Sequence, residues 1–190
     1  GLLQLAFAED FAIVDARDGR IPWLAVALPS HWAPEEKIGR HFAEVHAPVA
    51  GRRARAVHAL RPGAPVLVVE ATTLMEGVVP PPAAPLTVAL GGRHEFDDLA
   101  RELVTLGYAR VDQVEDAGDF SVRGGIIDVF PATESHPVRV EFWGDEVESI
   151  RRFSVFSQRS LGPLERVRLY AAAETPGTGP VSIVSLLPED

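Results

Sequence analysis

Residues 119–131 read DFSVRGGIIDVFP and residues 137–154 read PVRVEFWGDEVESIRRFS. In the second run Val138, Val140 and Phe142 alternate with Arg139, Glu141 and Trp143, the period of two that a strand shows when one face is buried and the other is open. Arg139 and Trp143 are therefore expected on the same open face. In the first run Phe120 and Val122 point one way and Ser121 and Arg123 the other, until Gly124 and Gly125 interrupt the alternation. A glycine pair inside a strand marks a bulge, a bend or a close backbone approach. Beyond it Ile126, Ile127, Val129 and Phe130 resume a buried strand, which Pro131 closes.

Two readings fit an exposed Trp beside two Arg. Trp and Arg are the residue types that most often dominate a protein interface, because each covers much area and Arg adds forked hydrogen bonds. In the other reading the face is simply solvated, with Arg139 paired to Glu141 or Glu148 and Trp143 lying flat over an aliphatic neighbour. Asp128, inside the strand after the glycine pair, is expected to pair with a neighbouring Arg rather than to act as a general base.

Upstream of these runs, LTVALG (86–91) predicts a strand. Phe96, Leu99, Leu103 and Leu106 make the apolar stripe of a helix that Gly107 ends. Strand, helix and the strand-rich segment that follows describe a small α+β domain over 85–173 with a mainly antiparallel sheet. The prolines at 80, 81, 82 and 85 stiffen the backbone as a linker does and mark a boundary before it. Residues 1–80 are expected to form a partial α/β layer. In it, residues 11–14 and 23–28 are short strands around the Asp18-Gly19 turn signal. One helix is expected from Pro34 through Glu44 with Pro48 stopping the run, and a second over about 51–60 with Ala54, Val57 and Leu60 inward and Arg52, Arg53, Arg55 and Arg61 on its other, solvated side. PVLVVEA (65–71) has the continuous apolar character of a parallel strand buried on both faces, and Thr72 or Thr73 is placed to cap a short helix through Glu76. Residues 174–190 read as a linker or tail, whose apolar VSIVSLL run has no evident partner.

Composition narrows the function classes. With 46% hydrophobic and 24% charged residues, 190 residues can build a soluble globular core. No cysteine is present, which rules out disulfides and thiolate metal sites and fits a reducing cytoplasm. No apolar run approaches the roughly 20 residues of a membrane helix, and the opening residues lack the basic start of a secretory signal. The formal net charge is -9. Eight basic against nine acidic residues over 1–80, and ten against eighteen over 81–190, leave -1 and -8 in the two parts. Phosphate-directed DNA binding needs a basic face, so direct DNA contact is not expected, the arginines near 52–61 notwithstanding.

The runs 107–131, 137–161 and 164–174 (GYARVDQVEDAGDFSVRGGIIDVFP, PVRVEFWGDEVESIRRFSVFSQRSL and LERVRLYAAAE) together resemble the UvrB-homology module of the bacterial transcription-repair coupling factors (Mfd). The RGG-like and EFWGDEVE-like segments resemble UvrB too, whereas SQRSL (157–161) is similar to the TQRS of the coupling factors. The resemblance implies a degenerate helicase-like α/β layer, then a domain that recruits the damage-recognition protein UvrA. The positions matching the family's contact residues are Arg123, Arg139 and Trp143, the last a departure from the Phe common in the family. RNA polymerase contacts are expected only through domains outside this sequence.

Catalysis is not expected. A phosphate-binding loop needs a GK[ST] ending to set a Lys on the phosphates and a hydroxyl on Mg²⁺, and the single Lys, Lys37, precedes Ile38. His41 and His46 stand five apart, a poor spacing for two metal ligands on one helix. No cofactor or metal is therefore assigned. The alternative, a UvrB-type DNA-contacting and nucleotide-hydrolysing repair protein, is opposed by the missing phosphate loop, the acidity and the SQRSL segment.

Overall fold

The computed structural model describes residues 14–15, 24–28, 47–60, 66–69, 75, 77–175 and 178–187. Three strands, β1 (Val14–Asp15), β2 (Leu24–Leu28) and β3 (Val66–Val69), form one sheet in that order. β1 pairs antiparallel with β2, and β2 pairs in parallel with β3 from Ala25↔Val66 to Leu28↔Val69. The parallel pairing agrees with the continuous apolar run of 65–71. The turn at Asp18-Gly19, the helix expected over 34–44 and the cap at Thr72 or Thr73 lie outside the described residues.

Helix α1 (Ala47–Ala59) starts four residues before its expected position. Pro48 opens it instead of stopping a preceding one, because in the first turn the missing N–H has no partner to lose. Ala50, Gly51, Arg53, Ala54, Ala56 and Ala59 are buried. The helix packs so closely at Gly51 that a Cβ there would stand 2.6 Å from that of Ala132. Arg53, expected on a solvated side, is 1% exposed, and its Nη1 donates to Glu174 Oε1 at 2.5 Å. The helix is turned further than the Ala54, Val57, Leu60 spacing implies, and Val57 and Leu60 are only half-buried.

The remaining chain forms the α+β domain. β4 (Leu86–Ala89) and β11 (Arg166–Leu169) make an antiparallel ribbon. Between them come helix α2 (Phe96–Thr105) and strands β5 (Ala109–Arg110), β6 (Asp119–Arg123), β7 (Ile126–Val129), β8 (Val138–Trp143), β9 (Glu146–Phe153) and β10 (Ser160–Pro163). The last six form one sheet of order β10-β9-β8-β7-β6-β5, antiparallel except where β5 meets β6. One face carries the core: Phe120, Ile127, Val129, Val138, Val140, Phe142, Val147 and Ile150 pack with Leu99, Leu103 and Leu106 of the α2 segment and with Val88, Val167 and Leu169 of the ribbon. Phe96 meets Phe142 edge to face at 5.4 Å. Gly107, at φ +82, turns the chain out of α2 as its position predicted.

Gly124 and Gly125 do not bulge a continuing strand. They are the two-residue turn of a hairpin, with Arg123 opposite Ile126 and Gly124 at φ +57. Gly144 and Asp145 do the same between β8 and β9, with Trp143 opposite Glu146 and Gly144 at φ +59. The apolar end of the chain is not a free tail. Val181 bridges Val78, and Ile183, in a short 3-10 helix (Ile183–Leu186), is buried with Val78, Ala56 and Ala59. Two segments distant in sequence thus close a second small core over α1.

Tyr108 locks this arrangement. Its buried hydroxyl donates to Tyr170 O at 2.9 Å and accepts from Ala132 N at 3.2 Å. Burial pushes its pKa up to about 12, against the smaller opposing effect of the Ala132 N–H. A raised folded pKa means that the stability is whole below the unfolded value near 10 and is lost as the pH rises through the folded one. Unfolding by guanidinium should therefore become easier between about pH 10 and 12, by about 1.4 kcal/mol per pH unit. Tyr108→Phe should flatten that alkaline slope.

Candidate functional site

The face of the six-stranded sheet opposite α2 holds a ladder of polar side chains. Strand parity puts Ser121, Arg123, Ile126, Asp128, Arg139, Glu141, Trp143, Ser149 and Arg151 on it. The register sets Ser121, Asp128, Arg139 and Arg151 in one cross-strand row and Arg123, Ile126, Glu141 and Ser149 in the next. An extra residue in β9, Glu148, lies between the pairs Glu141↔Ser149 and Phe142↔Val147. This bulge lets Val147 and Ile150, three apart, both reach the core.

Asp128 and Arg139 are joined at the centre. Arg139 Nε donates to Asp128 Oδ1 at 2.6 Å and Nη2 to Oδ2 at 2.7 Å, a forked pair with Asp128 only 6% exposed. Nη2 also reaches Gln158 Oε1 at 3.3 Å, and the guanidinium carbon lies 4.7 Å from the centre of the Phe153 ring. Phe153 is three residues beyond Ile150 and, by parity, buried on this second face under Arg139. The Asp128 bonds, more than the opposing burial, raise the Arg139 pKa. Arg139 is thus neither freely solvated nor paired to Glu141 or Glu148. Glu141 is taken by Arg151, at 2.5 Å and 2.9 Å, and by Ser149 at 2.7 Å. The bonds from Arg151 first, and from Ser149 next, hold its carboxyl below the usual range.

Arg123 and Trp143 are the exposed parts of the face. Arg123, at the end of β6, donates to Asp112 O and is exposed. Trp143 is 80% exposed at the β8 end, beside two tight turns. Phe142 N donates to Gly125 O at 2.8 Å, and His94 N to Asp145 O at 2.9 Å, so backbone bonds tie both turns to their neighbours. The three arginine and tryptophan positions singled out from the sequence share one face of one sheet, with Arg123 two strands away from Arg139. The pairing of Asp128 with an Arg was legible as an expectation; its partner and the role of Gln158 were not. Among the described residues no cluster of three metal-ligating side chains occurs, and no helix is long and apolar enough to cross a membrane.

A family model described as the UvrB interaction domain matches residues 86–174, the unit built by the ribbon, α2 and the six-stranded sheet. Residues 86–174 belong to the UvrB interaction domain family. The chain is also homologous to transcription-repair-coupling factors. It is 40% identical over 157 residues to that of Mycobacterium bovis, covering 78% of this chain and 13% of the relative. To that of Bacillus subtilis it is 34% identical over 143 residues, 73% of this chain and 12% of the relative. To that of Escherichia coli it is 39% identical over 114 residues, 58% and 10%. The chain spans only about an eighth or less of the length of these relatives. The description of that family names an interaction domain.

The Asp128–Arg139 pair makes Arg139 structural as well as exposed in part. Removing one partner of a buried pair strands the other charge and costs about 3 kcal/mol or more, whereas replacing both with apolar groups costs less. Arg139→Ala should therefore lower stability in urea by about 3 kcal/mol, and the Asp128→Ala, Arg139→Met double variant should recover much of the loss. An Arg139→Ala chain as stable as wild type would mean that water, not Arg139, satisfies Asp128.

Proposed function

We propose that the open face of the UvrB interaction domain recruits a UvrA-type protein to a transcription-repair coupling factor, with Arg123, Arg139 and Trp143 as contact residues. The observation that carries this reading is an 80% exposed Trp on the same sheet face as two arginines, held at the end of a hairpin whose turns are fixed by backbone bonds. A large rigid aromatic and an ordered guanidinium lose little freedom on binding, which is where interface energy concentrates. Arg139 spends Nε and Nη2 on Asp128 and Gln158, which holds the guanidinium in place while its side chain stays 20% exposed to a partner.

In this reading the three-stranded sheet and α1 are the remnant of a helicase-like α/β layer and act as a support for the domain over 85–173. RNA polymerase and DNA would be handled by other parts of such a factor. The alternative, a UvrB-type nucleotide-hydrolysing protein, is disfavoured by the absence of any GK[ST] string and by the net charge of -9.

Calorimetric titration of the chain with the UvrA-type protein of the same organism tests the reading. Truncating a central Trp or Arg costs about 2 kcal/mol of binding, roughly thirtyfold, while an exposed residue changes stability by less than about 0.5 kcal/mol. Trp143→Ala and Arg123→Ala should each weaken association strongly and leave the melting temperature nearly unchanged. Val140→Ala, one residue from Arg139 and 1% exposed on the core face, should do the reverse, losing about 2 kcal/mol of stability. Equal binding by wild type and the Arg123→Ala, Trp143→Ala double variant would refute the assignment.

A further inference from the structure

The connection between β9 and β10, residues 154–159, is not an idle loop. It is closed on itself: Ser154 N donates to Arg159 O at 2.9 Å, Gln158 N to Ser154 O at 2.8 Å and Ser157 N to Ser154 Oγ at 3.3 Å. Gln158 has φ +57, the one positive φ outside glycine among the described residues. A side chain in that region is strained and persists where its surroundings hold it. Two bonds hold this one, Nε2 to Val155 O at 2.9 Å within the turn and Oε1 from Arg139 Nη2 at 3.3 Å on the sheet. Glycine would meet the backbone requirement with no strain, so the amide side chain, and not the backbone, is what the position supplies.

Two residues before Gln158 stands Phe156, whose side chain is fully exposed, at 101%. Among the described residues Phe156 and Trp143 are the only large exposed aromatics. They lie at opposite ends of the same feature. Trp143 closes β8, Arg139 lies four residues back along it, and Gln158 clips the turn carrying Phe156 to that arginine. A Phe left wholly in water contributes nothing to folding and offers a partner a large apolar payload.

We propose that the 154–159 turn is a second contact lobe of the partner-binding surface, with Phe156 as its apolar anchor and Gln158 as the positioning residue that couples the lobe to Arg139. This rests on the proposed recruitment of a UvrA-type protein and extends the contact surface beyond Arg123, Arg139 and Trp143. Its occupant is an apolar pocket of that same protein, because the lobe is continuous with the sheet face through the Gln158–Arg139 bond. The complex would then grip the domain at two aromatic points, with Arg139 between them.

The test compares Phe156→Ser, Gln158→Gly, their combination and Trp143→Ala in the 190-residue chain, titrated with the UvrA-type protein, with melting temperatures and sedimentation measured alongside. Phe156→Ser should weaken binding about tenfold, as loss of one anchor does, with melting unchanged. Gln158→Gly, which relieves strain while cutting the tether, should weaken binding several-fold. In its background Phe156→Ser should cost clearly less than tenfold, a non-additivity that a merely structural Gln158 would not give. Binding by Phe156→Ser equal to wild type, with Trp143→Ala still weakened, would overturn the second lobe and leave the sheet-face reading standing. Wild-type binding by every variant, or no binding by wild type, would overturn both. A wild-type chain that self-associates through Phe156, with partner binding unaltered by Phe156→Ser, would also overturn it.

Discussion

The forked bond between Asp128 and Arg139 is the constraint on which the open face depends. A carboxylate that is 6% exposed cannot be left to itself, since the penalty for stranding a buried charge is several kcal/mol. The pairing spans the two central strands, β7 and β8, so it fixes Arg139 in a single orientation. Once fixed, the guanidinium roofs the Phe153 ring and meets Gln158. The sheet face is therefore ordered before any partner arrives. Such preorganisation lowers the entropy lost on association.

The same six strands serve two incompatible demands through parity. On one side Val138, Val140 and Phe142 join α2 and the β4–β11 ribbon in a continuous core. On the other, Arg139, Glu141 and Trp143 pass from part-buried to exposed along five residues of the same strand. The bulge at Glu148 reconciles β9 with this arrangement, and the ion pair between Arg53 and Glu174 joins α1 to the far end of the domain. Neither polar network is expendable packing. Each satisfies a charged group that the fold has removed from water.

What the sequence made legible was local and periodic. Val138 to Trp143 alternate without interruption, and Leu99, Leu103 and Leu106 keep helical spacing up to Gly107, so the strand, the helix and the sharing of one face by Arg139 and Trp143 follow from the side chains alone. What was not legible depended on contacts far apart in the chain. The Gly124-Gly125 pair reads as a bulge, a bend or a close backbone approach until the pairing of Arg123 with Ile126 makes it a hairpin turn. Arg53 looks solvated until Glu174, 121 residues away, arrives beside it. The apolar end finds Val78 and Ala56 only through tertiary packing. Arg139 read as an interface residue or as a partner of Glu141 or Glu148, because nothing local announces that Asp128 would be buried opposite it.

The most direct measurement of the central claim, that the open sheet face is the partner-contact surface, is amide hydrogen exchange of the chain alone and in complex with the UvrA-type protein. Exchange should slow over the Gly124-Gly125 and Gly144-Asp145 turns and the Ser154–Arg159 connection, with α2 and the β4–β11 ribbon unchanged. Protection confined to α1, to the ribbon or to the 181–187 end, with those turns exchanging as in the free chain, would contradict it.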